Sequence, residues 1–250
     1  MMTLEKHVEM VGDIQWMPLL SEDEAAQKWS LKTCTLCGHE FSEDDIKESP
    51  SCPSCNARER TRTMPILVHY LQQMNKNWFE GEYLGIAMTN TEKRIVGPNY
   101  GEVCSVSLFG TYGENHQIGV DVRDLSRFEE SRFCATFSSL LFDYFTEHDE
   151  ALRELSRVVK GGGVFITHIS NSRLTDELDE PVEIRRISAS PDLFTYLGED
   201  TIPSINVGKE WFFNALKRAG FAPGLIAIED PPHRGIFLLV YRDKTRIHQY

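Results

Sequence analysis

The residues best suited to chemistry in this sequence are four cysteines that form two closely spaced pairs. Cys34 and Cys37 form the first pair and Cys52 and Cys55 the second, in the spacing C-x2-C-x14-C-x2-C. Two intervening residues let both thiolates of a tight turn point at one tetrahedral ion, and a second pair completes its shell. Because four thiolates leave no open coordination position, we expect one structural zinc ion rather than a catalytic one. An iron–sulfur cluster is the alternative occupant, and four unconnected thiols are the other interpretation.

Composition and charge narrow the classes of function and partner. The chain has 250 residues, and 38 acidic against 26 basic residues give a formal net charge of -12, which disfavours a general binder of nucleic-acid backbones. No apolar run is long enough for a membrane span, and the N-terminus lacks the uninterrupted apolar core of a signal peptide. Paired cysteines without an export signal indicate a reducing compartment, so we expect a cytoplasmic protein. Cys104 and Cys134 fall in apolar runs and are interpreted as core residues.

Three arginines follow the last cysteine, at positions 58, 60 and 62 in the segment "RERTR". They could bind a phosphate or carboxylate of a substrate, or the phosphates of a nucleic acid. The preferred interpretation is a solvated helix face that pairs with neighbouring acidic side chains, given the negative charge of the chain.

Short apolar runs alternate with helical patterns from residue 82 onward, which is typical of βα units and a mostly parallel sheet. The clearest helix is 147–159, with an apolar stripe and three glycines, 161–163, that are expected to close it. A second helix lies within 208–220, and a third within 57–74 contains Pro65. Strands are predicted at 82–88, 103–108, 117–121, 133–138, 163–169, 223–229 and 235–241.

The chain therefore divides into three predicted parts. Residues 1–30 are expected to form an N-terminal helical extension with a helix at Ser21–Trp29, and residues 31–60 a metal-binding ribbon. Residues 61–250 are expected to form a Rossmann-like α/β domain with seven strands. Within it, the polar, proline-containing stretch 170–206 is too long for an ordinary connection and is interpreted as a lid or insertion over a substrate.

Two stretches carry a resemblance to a known family. The segment "FCATFSSLLFDYFTEHDEALRELSRVVKGGGVFITHI", Phe133–Ile169, is similar to strand four, the next helix and strand five of class I S-adenosylmethionine (SAM)-dependent methyltransferases. The cysteine pairs followed by "ARERTR" resemble a bacterial subgroup that carries a four-cysteine segment ahead of that domain. The resemblance implies SAM as cofactor, zinc in the ribbon and a Rossmann-like fold.

The same resemblance implies where the cofactor binds, although the usual glycine-rich loop after strand one is absent. In its place stands "LGIAMT", 84–89, where Gly85 and Ala87 are small enough for close approach to a methionine moiety. At the tip of strand two, Ser107 stands where the superfamily carries an acid for the ribose hydroxyls. Asp121 matches the residue that receives the adenine amino group. The implied cofactor-binding set is Gly85, Ala87, Ser107, Asp121, Val122 and Ser138.

Methyl transfer is an in-line displacement that needs orientation, desolvation and, for weakly acidic acceptors, a base. Ligands of such sheets bind beyond the carboxyl ends of the strands. His168, directly after strand five, is the best candidate base because its free pKa lies near neutrality, and Asp143 and Tyr144 reach the same rim. Each of the three could instead be a hydrogen-bonded or packed structural residue.

Three functions remain open. The first is a SAM-dependent methyltransferase that acts on a small molecule or a peptide. The second is a non-catalytic ribbon and Rossmann-like scaffold that binds a protein partner, which the missing acids favour. The third, disfavoured by the charge, is an RNA-modifying methyltransferase that docks through the arginines. Fold analogy does not separate them.

Overall fold

The computed structural model describes residues 6–10, 33–42, 45, 51–99, 102–108, 116–168, 174–175, 178–187, 201–228 and 235–242. The helices are α1 (Glu59–Met74), α2 (Asn90–Val96), α3 (His148–Val158) and α4 (Lys209–Arg218). The strands are β1 (Lys6–Met10), β2 (Glu82–Ile86), β3 (Glu102–Ser107), β4 (His116–Ile118), β5 (Phe133–Ser139), β6 (Val159–His168), β7 (Leu174–Thr175), β8 (Val182–Ile187), β9 (Thr201–Gly208), β10 (Phe221–Ile228) and β11 (Gly235–Arg242). The helix predicted at 21–29 lies outside the described residues.

The central sheet has the order β1-β10-β11-β6-β5-β2-β3-β4. Its five adjacent strands β6, β5, β2, β3 and β4 pair in parallel, while β11 runs antiparallel to both β6 and β10. This confirms the predicted α/β class with a mostly parallel sheet. The predicted count of seven is not confirmed, because the described part of the chain places eight strands in this sheet.

The additional strand is β1, at the edge of the sheet. It pairs antiparallel with β10, from Lys6 opposite Ile228 to Met10 opposite Gly224. The prediction of a helical extension is therefore wrong for residues 6–10, which belong to the sheet of the main domain.

Two apolar layers enclose the sheet because alternate residues of each strand face opposite sides. One layer lies between the sheet and α1, and joins Met64 and Leu67 of the helix to Tyr83 and Ile166 of the strands. The other layer lies against α3 and α4. It includes the predicted stripe of α3, whose members are all fully buried: Ala151, Leu152, Leu155 and Val158.

The three glycines after α3 do not close that helix. Helix α3 ends at Val158 and β6 begins at Val159, so the glycines lie inside the strand, where the pairing with β5 is irregular. A Cβ on Gly163 would lie 2.7 Å from the carbonyl oxygen of Cys134. Close approach of the two backbones therefore explains this glycine.

The insertion contains a second, three-stranded sheet of order β7-β9-β8. Ile205 and Val207 of β9 are fully buried in the layer that contains α3 and α4. The stretch 170–206, interpreted above as a lid or insertion, therefore contains regular strands, and the buried part of β9 belongs to the core. Among the helices that the structure describes, none has the length and apolar character needed to cross a membrane.

Candidate functional site

The four cysteines lie on two turns with the same backbone geometry. The N–H of Gly38 donates to the carbonyl of Cys34, and the N–H of Asn56 donates to the carbonyl of Cys52, both at 2.8 Å. Gly38 and Asn56 each have a positive φ, +75° and +56°, which turns the chain sharply after the second cysteine of each pair. The two pairs therefore present their thiols in equivalent ways.

The distances between the sulfur atoms fit one tetrahedral ion. The Sγ atoms of Cys34 and Cys55 are 3.7 Å apart, as are those of Cys37 and Cys52, and all four lie within 4.8 Å of one another. Zn–S bonds of about 2.3 Å at tetrahedral angles require S···S distances of about 3.8 Å. A disulfide would need about 2.05 Å. The predicted ligand set is thus brought together in a geometry that suits zinc.

The thiols of this cluster titrate unequally. Burial raises the pKa of Cys37, but hydrogen bonds from the backbone N–H of His39 and from the neighbouring thiols lower it by a larger amount. The resulting pKa is about 6. Burial, together with the other thiols, raises the pKa of Cys55 to about 12. A negative charge is thus favoured at Cys37, whereas the pKa values of Cys34 and Cys55 are raised. An entering divalent ion must displace protons from these two cysteines, so metal affinity should rise with pH.

Arg62 joins the ribbon to α1 and is not part of a solvated face. It is 1% exposed, its Nη1 donates to the carbonyl of Ala57 at 2.6 Å, and its guanidinium lies 4.9 Å from the ring centroid of Phe41. The hydroxyl of Thr35, inside the first cysteine turn, donates to the carbonyl of Arg62 at 2.6 Å. The preferred sequence interpretation is therefore wrong for this arginine, which is also inaccessible to a nucleic acid.

The sheet register brings most of the predicted site residues to one edge. Ile86 pairs with Val106 on one side and with Ser138 on the other, and Ser139 pairs with His168. Ser107 and His168 therefore end β3 and β6, Ser138 lies one residue before the end of β5, and Ala87 directly follows β2. This edge is the carboxyl edge of the five parallel strands, where ligands of such folds bind.

The turn after β2 is built without a glycine loop. Ala87 adopts φ +52°, a conformation that L-residues rarely hold, and its N–H donates to the carbonyl of Val106 at 2.8 Å. Thr89 then caps α2: its N–H donates to Glu92 Oε2 at 2.7 Å, and its hydroxyl accepts from the N–H of Glu92 at 3.3 Å. Glu92 is 1% exposed, so a carboxylate of the chain itself is held at the start of this helix.

The space beside Gly85 is filled from within the protein. A Cβ on Gly85 would lie 2.5 Å from the sulfur of Met88 and 3.3 Å from Tyr83 Cε1. Met88 is fully buried. Gly85 therefore accommodates Met88 in this structure, and close approach of a ligand on this side of β2 requires Met88 to move.

At the tip of β3 the two serines bind one histidine. The hydroxyl of Ser105 lies 2.8 Å from Nδ1 of His116, and that of Ser107 lies 2.6 Å from Nε2. Nζ of Lys93 is 3.3 Å from Nδ1; since an ammonium group only donates, Nδ1 accepts and Nε2–H donates to Ser107. Burial, and then the charge of Lys93, lower the pKa of His116, which keeps the ring neutral. The sequence interpretation missed His116 because it is far from both serines along the chain.

Asp121, the predicted adenine ligand, is ion-paired. Arg123 contacts both of its carboxylate oxygens, with Nη2···Oδ2 at 2.6 Å and Nε···Oδ1 at 3.0 Å, and its backbone N–H donates to Oδ1 at 2.9 Å. Hydrogen bonds from Arg123 are the main reason that the pKa of Asp121 is lowered. Arg123 also pairs with Glu147 at 3.1 Å. An adenine amino group would share this carboxylate with Arg123, while the neighbouring Val122 is buried.

The remaining rim residues differ in how accessible they are. Ser138 is fully buried and donates to Thr167 Oγ1 at 2.9 Å, so its hydroxyl is directed along the sheet. Asp143 is 3% exposed in a 3-10 turn that follows Leu140, whereas Tyr144 is 40% exposed. Of these side chains, Tyr144 is the one open to solvent.

His168, the predicted base, is 8% exposed at the end of β6. Burial first, and then the positive charge of Arg60, lower its pKa to about 4. The imidazole is therefore neutral at pH 7, and its conjugate acid is too strong for efficient proton abstraction. The expected near-neutral pKa, which was the reason for selecting His168, is not what this environment produces.

A second buried histidine was missed. His148 begins α3, is fully buried, and its Nε2 lies 3.0 Å from the carbonyl oxygen of Phe142. Four aromatic rings surround it, and burial lowers its pKa to about 4. The rings belong to Phe142, Phe145, Trp211 and Phe212. The only sequence signal was a histidine at the start of an amphipathic helix, so an apolar environment could not be inferred.

Comparison with known proteins shows what part of the chain is similar to. Residues 94–167 match the family model described as a methyltransferase domain. A proposed SAM-dependent methyltransferase from Listeria monocytogenes is 19% identical, with 69% of this chain and 94% of that chain covered and a TM-score of 0.47. A SAM-dependent methyltransferase from Mesorhizobium loti is 16% identical, with 69% and 96% covered and a TM-score of 0.48. The comparison with curated proteins gave no significant match.

The match of residues 94–167 to the methyltransferase-domain model agrees with the family resemblance found in the sequence. The four-cysteine cluster lies on the N-terminal side of this matched segment.

Proposed function

We propose that this chain is a SAM-dependent methyltransferase that transfers a methyl group to a small-molecule or peptide acceptor. The observation that supports this most is the meeting of four parallel strands, β3, β2, β5 and β6, at one carboxyl edge. Of these, β3 and β5 lie within the segment 94–167 that matches the methyltransferase-domain family, and β6 ends one residue beyond it.

The cofactor would lie along this edge. Its sulfonium supplies the electrophilic methyl group. The backbone at Gly85 and Ala87 would face its methionine moiety once Met88 moves, Ser107, oriented by His116, would meet the ribose, and Asp121 with the backbone of Val122 would receive the adenine. Ser138, buried beneath the edge, would hold the strand tips in register through its bond to Thr167.

The acceptor would approach from the β5–β6 side of the edge. Tyr144 is the accessible side chain there, and Asp143 and His168 are buried beside it. With a pKa of about 4, His168 acts in this proposal as a neutral hydrogen-bonding group that positions the acceptor rather than as a strong base. Desolvation and orientation then supply most of the catalysis.

The four-cysteine cluster would hold one structural zinc ion, since its S···S distances of 3.7 Å suit tetrahedral coordination. Through Thr35 and Arg62, the ribbon would fix the start of α1 against the sheet. Reduced thiolates of this kind are compatible with the cytoplasm, which we propose as the location.

A non-catalytic scaffold is the second candidate, and three contacts favour it. Met88 fills the space beside Gly85, the carboxylate of Glu92 accepts the backbone N–H of Thr89 at the start of α2, and Arg123 occupies the carboxylate of Asp121. In a scaffold these contacts would be permanent. In an enzyme they are exchanged for contacts with the cofactor.

Calorimetric titration with S-adenosylhomocysteine, the demethylated product, distinguishes the two candidates. A methyltransferase is expected to bind it with a micromolar Kd and to gain about 2.7 kcal/mol of stability at a hundredfold excess over Kd. Absence of heat and of a thermal shift at millimolar ligand would favour the scaffold.

Two matched variants locate the site. Asp121→Ala should weaken binding by about 1–3 kcal/mol, the value of a charged hydrogen bond, whereas Asp124→Ala, an exposed acid three residues away, should leave the affinity unchanged.

A further inference from the structure

Helix α1 and strand β6 contribute residues to the same apolar layer. Met64, Leu67 and Leu71 form one face of α1, and they share a buried cluster with Val164 and Ile166 of β6. At the other end of the helix, Trp78, just after α1, donates from its indole N–H to the carbonyl of Gly162 at 2.9 Å. The start of α1 therefore lies at the carboxyl end of β6.

This arrangement places Arg60 next to His168. Arg60 is one turn before Met64 on the same face of α1, and His168 is two residues beyond Ile166 on the same face of β6. The effect of the Arg60 charge on the titration of His168 supports the same proximity. A cation and an imidazole thus meet at the edge where the methyl acceptor is proposed to bind.

The guanidinium of Arg60 is not fully used by the protein. Its Nε atom is buried and has no hydrogen-bond partner among the residues that the structure describes. A buried donor without a partner is costly, and a guanidinium matches the two oxygens of a carboxylate or phosphate. The neighbouring arginines differ, because Arg58 is exposed and Arg62 bonds to the carbonyl of Ala57.

We propose that Arg60 and His168 form an anion-binding site at the carboxyl end of β6, which takes a carboxylate or phosphate group of a ligand. The inference rests on the proposed function only in taking this edge as the ligand side of the sheet. Two sources offer such a group: the α-carboxylate of the cofactor and an acidic group on the methyl acceptor.

The direct test is an NMR titration of the zinc-loaded full chain with inorganic phosphate and, separately, with acetate, observed at the ring signals of His168. Saturable shifts of these signals are expected for the unaltered protein. Arg60→Gln should weaken anion binding about tenfold or more, since it removes a charged donor pair. Arg60→Lys should retain part of it, and the matched control Arg58→Gln should bind as the unaltered protein does.

The proposal is overturned if neither anion shifts the His168 signals at concentrations too low to screen the charges on the protein surface. It is equally overturned if Arg60→Gln, shown by its melting temperature and zinc content to be folded, binds as tightly as Arg58→Gln. If Arg60→Gln does not fold, Arg60→Lys replaces it in the test. A lysine lacks the paired N–H donors of a guanidinium, so Arg60→Lys should bind both anions more weakly. Unchanged affinity for both anions would contradict the site.

Calorimetry with two nucleosides separates the sources. S-adenosylhomocysteine carries an amino-acid carboxylate and 5′-methylthioadenosine does not. If the cofactor supplies the anion, Arg60→Gln weakens the binding of S-adenosylhomocysteine alone, by about tenfold. If the acceptor supplies it, Arg60→Gln leaves the affinity for both nucleosides unchanged, while phosphate binding is lost. Equal weakening of both nucleosides would contradict a local anion site.

Failure of the proposed function remains distinguishable from failure of this inference. A chain that binds no nucleoside but shows the phosphate effect loses the methyltransferase proposal and keeps the anion site. A chain that binds S-adenosylhomocysteine but shows no phosphate effect keeps the methyltransferase proposal and loses the anion site.

Discussion

The hydroxyl of Tyr83 donates a hydrogen bond to the sulfur of Met88 at 2.9 Å, and the two side chains together cover Gly85. Both are fully buried. The small residue at position 85 thus serves the packing of the first turn in this structure, and the room expected for a cofactor is closed by a flexible thioether. Methionine is well suited to such a place because it repacks at low cost.

Gly85→Ala should lower the free energy of unfolding by about 1 kcal/mol, the low end for overpacking, because the added methyl group would overlap the flexible thioether of Met88. Urea denaturation measures this. Gly97→Ala is the matched control, since its Cβ would lie 3.6 Å from Val103, an ordinary contact. In the background of Met88→Ala the cost of Gly85→Ala should largely disappear; an undiminished cost would show that Met88 is not the clashing group.

Cys52→Ser should abolish stoichiometric zinc and lower the melting temperature, because a structural metal contributes directly to folding. Metal content by mass spectrometry and thermal denaturation measure both effects. Cys104→Ser alters a cysteine outside the cluster and should leave metal content intact. Retention of one zinc ion per chain by Cys52→Ser would exclude the tetrathiolate site.

Much of the fold follows from local patterns, as β5, α3 and β6 illustrate. Their apolar runs, and the apolar stripe from Ala151 to Val158, are visible in the sequence because buried positions require apolar side chains. Strands β1 and β9 could not be predicted in the same way. Lys6–Met10 forms a strand because it pairs with β10, which is distant in sequence. Thr201–Gly208 contains Pro203, which favours a loop in the sequence, and its strand is apparent only from the pairing with β8.

Arg157→Ala should destabilise the protein by about 1–3 kcal/mol, since charged hydrogen bonds are lost from a partly exposed group. Arg157 donates to the carbonyls of Phe128 and Leu125 at 2.8 and 2.7 Å and pairs with Glu154, so it holds the segment after β4 against α3. Arg153→Ala, on the exposed face of the same helix, should change stability by less than about 0.5 kcal/mol. Equal effects of the two in chemical denaturation would contradict this role.

Stability should fall as the pH is lowered from about 6.5 to about 4, in part through His148. Its pKa is about 4 in the folded chain because it is buried, against 6.5 for a free imidazole. The unfolded state therefore binds a proton first, and the contribution amounts to roughly 2–4 kcal/mol over this window.

His148→Gln can keep the bond to the carbonyl of Phe142 without titrating, so it should flatten the dependence of unfolding free energy on pH. His69→Gln, on the partly exposed part of α1, should preserve the slope of the unaltered protein. If His148→Gln keeps that slope as well, His148 is protonated in the folded state and the environment described for it is wrong.

The candidate site was less predictable than the fold because its properties depend on contacts between distant residues. The positions of Ser107, Ser138 and His168 at one edge follow from the strand order. The pairing of Asp121 with Arg123, the bonds of His116 to two serines and the low pKa of His168 arise from packing. Residue type alone gives no information about such partners.

The most direct measurement is a crystal structure of the zinc-loaded chain grown with saturating S-adenosylhomocysteine. We expect the ligand along the carboxyl edge between Ala87 and Asp121, with Met88 displaced from Gly85 and the adenine amino group on the carboxylate of Asp121. A structure in which Met88 and Arg123 keep their contacts and no ligand occupies that edge would contradict the proposed methyltransferase and leave the scaffold.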